Sequence, residues 1–440
     1  MTSDSGRSLE VKNASPTTSL RSTLFGSVVT GLGGQLAVVV SGIIAARMLG
    51  PENRGYLALL VLIPTALSQL GSLGLPLAVT YEFSRDERGG AGALRNILRI
   101  ATGNVLTLIV IHAAVLAVLV SSDRLDVQIA AAITLLVIPA ESAQLYGLAI
   151  LQGRRDFRAF NILRLLPSVT YGAVAVVAFL MEAGSLPQFA LWFTGSYITV
   201  AALTLTTALR RSPPRDVPEA SRAGAMLRFG LRGLFGAVSP LETLRLDLAI
   251  VGLFLSPAAL GLYVVGVSFT NLPRFAAHSI GLVAYPHISA KRDPIRARRS
   301  MWRFVSLSFG VCLAIVIPLE FLAGWLVPSF FGEAFAPAVG IMQILLVSSV
   351  FLGTRRVLTE TSRGIGQPGL GTVAEIASWL SIVPAIALLA PGLGAAGVAL
   401  AFTTSSAISL LVLIALVAMR RAGPPSLKVR LSEEPTIDGL

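Results

Sequence analysis

Twelve apolar stretches, each about twenty residues long or slightly more, follow one another almost without pause from residue 24 to residue 419. Inside a hydrocarbon layer a run of that length has to be helical, because only a helix satisfies every backbone amide and carbonyl within one segment. The stretches lie near residues 24–48, 55–79, 100–121, 127–150, 160–182, 187–209, 226–254, 258–285, 304–328, 336–354, 369–390 and 394–419. Hydrophobic residues make up 54% of the chain and charged residues 13%, with a mean hydropathy of +0.76. Little polar surface is left for a soluble domain, and the expected fold class is an all-α, multi-pass membrane protein.

The chain reads as one unit written twice. Leu49-Gly50-Pro51 leads to Gly55-Tyr56, and 206 residues later Leu255-Ser256-Pro257 leads to Gly261-Leu262-Tyr263. Each unit also closes alike, with Ala208-Leu209-Arg210-Arg211 before Pro213-Pro214 and Ala418-Met419-Arg420-Arg421 before Pro424-Pro425. A cytoplasmic N-tail at 1–23, a six-helix lobe at 24–209, a Pro-stiffened linker at 210–225, a second six-helix lobe at 226–420 and a C-tail at 421–440 are expected. With six crossings per unit the two lobes enter the membrane in the same sense, as parallel repeats.

Orientation follows from the cations. The two tails and the loops after even-numbered stretches hold 27 of the 35 Lys and Arg, whereas the alternate loops hold Arg54 and Arg124 against Glu52, Asp123, Asp126, Glu182 and Glu333. Both termini are therefore expected in the cytoplasm. Most of the +12 net charge belongs to this asymmetry, beside anionic lipid headgroups, so membrane lipids and not nucleic acid are the expected partners. Arginine far outnumbers lysine, and alanine and glycine are abundant, a composition of GC-rich bacterial genomes. The expected location is a bacterial inner membrane.

Several chemistries lack their residues. No Gly-x-x-x-x-Gly-Lys-Ser/Thr occurs, so the chain cannot itself be an ATP-driven pump. His112, His278 and His287 lack metal-ligand spacing, no Gly-x-Ser-x-Gly elbow is present, and Cys312 is the only cysteine. No cofactor or metal and no enzymatic activity are expected.

What remains is a set of ionisable residues inside the apolar stretches, where a charge costs at least a few kcal/mol and normally faces a cavity or a partner. Glu242, Arg245 and Asp247 are expected in the seventh helix beyond Pro240. Asn271, Arg274 and His278 fall at i, i+3 and i+7 in the eighth, on one helical face beside Pro273. These are the candidate substrate-binding residues, since guanidinium forks take phosphate oxygens in pairs and stay charged when desolvated. Pairing of Arg245 with Asp247, or of Glu242 with Arg274, is the structural alternative. Asp247, Glu141 and Glu375 are candidate coupling acids for H+ or Na+, or else helix-to-helix hydrogen bonders. Arg355 and Arg356 are expected to snorkel at a cytoplasmic helix end, and Arg47 and Arg54 to lie at the outer interface.

Ala45-Ala46-Arg47-Met48-Leu49-Gly50-Pro51-Glu52-Asn53-Arg54-Gly55-Tyr56, with Leu73-Gly74-Leu75, resembles the opening of polysaccharide-type exporters of the multidrug/oligosaccharidyl-lipid/polysaccharide superfamily. Arg245-x-Asp247, Gly261-x-Tyr263 and Tyr285-Pro286 resemble the start of their second half. The subgroup most resembled is the Wzx-like flippases. The resemblance implies a V-shaped pair of bundles around a cationic cavity, with Arg274 at a cavity position. It also implies a lipid-linked oligosaccharide substrate moved by alternating access, and other glycan-assembly proteins as partners. The rival readings are a multidrug or cation antiporter of the same fold, which would favour acids in the cavity, and a polysaccharide polymerase or ligase, which would need a large outward loop.

Overall fold

In the computed structural model, residues 16–85, 90–119, 124–182, 184–210, 227, 228, 230, 231, 245–291, 293–367 and 369–419 are described. Residues 1–15 of the expected N-tail, 211–225 of the linker, Pro240, Glu242 and the C-tail from 420 lie outside them. The described residues form helices joined by short turns: α1 (Pro16–Gly71), α2 (Leu75–Arg85), α3 (Gly90–Leu119), α4 (Leu125–Thr134), α5 (Val137–Gly153), α6 (Phe157–Leu180), α7 (Leu186–Arg210), α8 (Leu246–Phe254), α9 (Pro257–Ser268), α10 (Asn271–Ser289), α11 (Pro294–Phe331), α12 (Ala338–Gly364) and α13 (Gly369–Met419). A 3-10 turn at Glu333–Phe335 separates α11 from α12. Among the described residues, eight helical segments are long and apolar enough to cross a membrane.

Two of the long helices fold back on themselves. α1 turns at Gly50 (φ 69°, ψ 175°) and α13 at Gly394 (φ 56°, ψ −129°), backbone regions closed to side chains with a Cβ. The second copy of the turn motif solves the same problem differently. Ser256 is extended, its hydroxyl accepts from the Ala259 amide at 3.2 Å, and Pro257 opens α9.

Where a helix breaks inside an apolar stretch, short-range bonds keep the amides paired, as a lipid environment demands. Leu135 and Leu136 between α4 and α5 donate to Ala132 and Ile133, each at 3.3 Å. Leu73 and Gly74, between α1 and α2, adopt φ of 51° and 69°.

The repeated motifs meet each other. A Cβ on Gly55 would stand 1.7 Å from the Pro257 carbonyl oxygen, and one on Gly261 would stand 1.9 Å from that of Pro51. Each glycine thus admits the backbone of the opposing turn, and the contact is reciprocal. Beside it, Arg47 crosses between halves, donating to the carbonyls of Phe330, at 2.7 Å, and Ser329 at the C-terminal end of α11. That cation complements the helix dipole and is more than the interfacial anchor expected of it. Toward the opposite end of the bundle a second glycine pair touches, with a Cβ on Gly74 falling 2.1 Å from the Gly230 oxygen.

Candidate functional site

Between these two levels of contact lies a cavity of about 340 Å³, lined by Gln35 of α1, by Asn271, Arg274 and His278 of α10, and by Gly353 and Arg356 of α12. The helical spacing read from the sequence holds: α10 starts at Asn271 after a break at Phe269 and Thr270, and its three polar side chains share one wall. Gly353 brings α12 against that wall, since a Cβ there would stand 2.9 Å from both Ala277 Cβ and Cys312 Sγ. One turn further along α12, Arg356 therefore faces the same space as Arg274. The described lining holds two arginines and no carboxylate.

Arg274 also borders a narrower cleft with Arg245, Asp247, Ser348 and Ser349. Arg245 does not sit within a helix, as expected, but immediately before α8 with φ 48°. This left-handed conformation lays its guanidinium along Asp247, Nε to Oδ1 and Nη2 to Oδ2 both at 3.3 Å. Asp247 is 1% exposed. The pair neutralises itself at the cavity wall, while its Glu242 neighbour lies outside the described residues.

Glu360 of α12 lies 3.7 Å from the cavity's Arg356, whereas the two other candidate acids are not among the cavity's described lining residues. Glu375 of α13 is joined to Arg355 of α12 at 2.9 Å, and Arg355 also donates to Ser409 at 2.9 Å. Arg355 is 3% exposed. The expectation that Arg355 and Arg356 snorkel at a helix end fails because α12 runs on to Gly364, carrying both past the limit that hydropathy had set at 354. Glu141 sits in the other half, buried in α5, with its Oε2 lacking a hydrogen-bond partner. Gln144, one turn on, donates to the Leu163 carbonyl at 2.8 Å and leaves its own Oε1 unpaired.

Sequence reasoning missed Gln35 and Arg356. Gln35 was visible as a lone amide in the first apolar stretch, the signal that singled out Asn271. Arg54, expected at the interface, is instead half-buried, with its Nε enclosed and without a partner.

Residues 44–340 match the family model described as "Polysaccharide biosynthesis protein". Over 373 residues the chain is 23% identical to the succinoglycan biosynthesis transport protein ExoT of Rhizobium meliloti, covering 79% of this chain and 74% of that protein. Over 382 residues it is 22% identical to the probable low-salt glycan biosynthesis flippase Agl15 of Haloferax volcanii, covering 83% and 76%. Among solved structures, the lipid II flippase MurJ in an inward closed conformation superposes with a TM-score of 0.71 at 14% identity, over 89% of this chain and 87% of that one. An inward-facing multidrug resistance MATE transporter of the MOP superfamily gives 0.66 at 16% identity, over 88% and 96%. The fold is that of these transporters.

Proposed function

Because the chain belongs to the polysaccharide biosynthesis protein family, we propose that it is a flippase carrying a polyprenyl-pyrophosphate-linked oligosaccharide from the cytoplasmic to the outer leaflet for cell-surface polysaccharide synthesis. The observation that carries this reading is the cavity whose described lining holds Arg274 and Arg356 and no carboxylate. An anionic pyrophosphate suits it, whereas the cation of a drug antiporter would want acids there. The transport relatives point the same way, and a polymerase or ligase would need an extramembrane loop that the sequence does not provide.

In this mechanism Arg274 grips phosphate oxygens through its planar fork, Arg356, paired with Glu360 at 3.7 Å, offers a second guanidinium, and Asn271 and His278 supply neutral hydrogen-bonding groups. The polyprenyl tail stays in lipid. Twelve crossings in two parallel six-helix lobes, arranged as a V with both termini in the cytoplasm of a bacterial inner membrane, fit the folds at Gly50 and Gly394 and the placement of cations along the sequence. The contact of Gly74 with Gly230 then parts to admit the headgroup, and that of Gly55 and Gly261 with the opposing turns parts to release it. Movement is driven by an ion gradient, the membrane potential or substrate flux, and for a gradient of H+ or Na+ Asp247 is the leading coupling acid. Substrate phosphate at Arg245 would loosen a carboxylate that otherwise stays paired. Other glycan-assembly proteins deliver and consume the lipid-linked glycan.

The test is complementation of surface glycan in a strain lacking the protein. Arg274→Ala abolishes export while folded protein reaches the membrane, and Arg274→Lys restores only part of it because the fork is lost. Full export by Arg274→Ala would remove the cavity from the mechanism.

A further inference from the structure

The half containing α1 to α7 holds a group of side chains that the pyrophosphate mechanism does not use. Tyr171 of α6 packs edge-on to Phe193 of α7, ring centroids 5.4 Å apart at 87°, and Phe193 lies 4.8 Å from Tyr197. The rings do not face lipid. On α6 the buried residues Leu163, Pro167, Gly172, Ala175 and Ala178 define one face, and at 100° per residue Tyr171 stands at its centre. On α7 the buried Phe189, Ala190, Thr194, Val200, Ala201 and Thr204 centre on Tyr197 in the same way. All three aromatic residues are nevertheless only half-buried. Surface that is exposed on the inward face of a packed helix opens into the interior of the bundle.

The ends of this row are polar. Arg54 interacts electrostatically with Tyr171, and Glu141 interacts with Tyr197. The hydroxyls of the half-buried Tyr171 and Tyr197 each add a donor and an acceptor. Donors, acceptors and ring faces side by side are the complement of a sugar, which presents hydroxyls at its edge and polarised C–H groups on its face to the electron-rich face of an aromatic ring.

We propose that the inward row Tyr171, Phe193 and Tyr197, between Arg54 and Glu141, is a glycan-binding platform that holds sugar rings of the transported lipid-linked oligosaccharide. The proposal rests on the flippase reading and adds a division of labour. The second half holds the pyrophosphate and the first half the sugars. At 1.5 Å per helical residue, Tyr197 lies about 16 Å and Arg274 about 26 Å below the Gly50 end of the bundle. A headgroup held by Arg274 thus has its glycan directed toward that end.

Binding to the purified full-length protein in nanodiscs tests it with two probes: bare undecaprenyl pyrophosphate, and lipid-linked oligosaccharide extracted from cells that lack the protein. Tyr197→Leu and Phe193→Leu are expected to weaken the glycosylated lipid at least tenfold relative to wild type while bare lipid changes less than twofold. Tyr197→Phe, which keeps the ring, is expected to stay near wild type. Free oligosaccharide released from the same lipid by mild acid should compete with the glycosylated probe alone. Leu variants that lower both probes equally, or neither, overturn the platform, and so does an absence of competition by free glycan. If Leu variants do not fold, the competition decides. Wild-type protein that binds neither lipid refutes the flippase reading itself, and the platform falls with it.

Discussion

Gly55→Ala is the sharpest perturbation of the contact between halves. The added methyl would stand 1.7 Å from the Pro257 carbonyl oxygen, and restoring an ordinary approach of about 3.2 Å requires the two turns to part by roughly 1.5 Å. Both partners are backbone, so no side chain can swing aside. Overpacking of this kind costs about 1 to 3 kcal/mol, and the rigid setting argues for the upper end. Because the clash exists only while the halves touch, about 3 kcal/mol falls on that state alone and shifts its population roughly a hundredfold toward separation. With Cys312→Ser as background, spin labels at the exposed positions Met181 and Ala334, one on each half, should report a longer distance in Gly55→Ala. Gly261→Ala should do the same, since its methyl would meet Pro51 oxygen at 1.9 Å. Gly310→Ala, with nothing within 4 Å of its Cβ, should leave the distance unchanged and the stability equal or slightly higher. Folded Gly55→Ala protein with an unaltered distance and full transport would refute the argument that this contact closes one side.

Arg355→Ala removes a buried guanidinium from the half-buried Glu375 and from Ser409 and should lower stability by about 1 to 3 kcal/mol, seen as a lower melting temperature in detergent. A loss below about 1 kcal/mol would mean that the pair with Glu375 is not the structural brace it resembles. Asp247→Asn should bind lipid substrate nearly normally yet lose its response to an imposed ion gradient. A full response to both pH and Na+ gradients would assign Asp247 to pairing with Arg245 alone. Cysteines at Ser185 and Gly392 should react with an impermeant thiol reagent from outside, and one at Asp293 should not, and reversal of that pattern would overturn the orientation.

The grouping of Asn271, Arg274 and His278 on one wall was legible because helical periodicity is local: three positions on one helix share a face whatever surrounds them. Gly50, Gly55 and Gly261 were legible as special positions, since a positive-φ break and a close backbone approach each restrict residue type. The apolar runs likewise dictated helices that a membrane accepts. Sequence could not say that the two echoed turns press against each other, that α12 buries Arg355 in a pair with Glu375, or that Arg356 and Gln35 complete the cavity wall. In a soluble helix the polar face marks the outside, but here lipid and protein interior are both apolar, so residues on either face look alike. That Tyr171 and Tyr197 come to share one row with Phe193 was decided only when α6 and α7 packed.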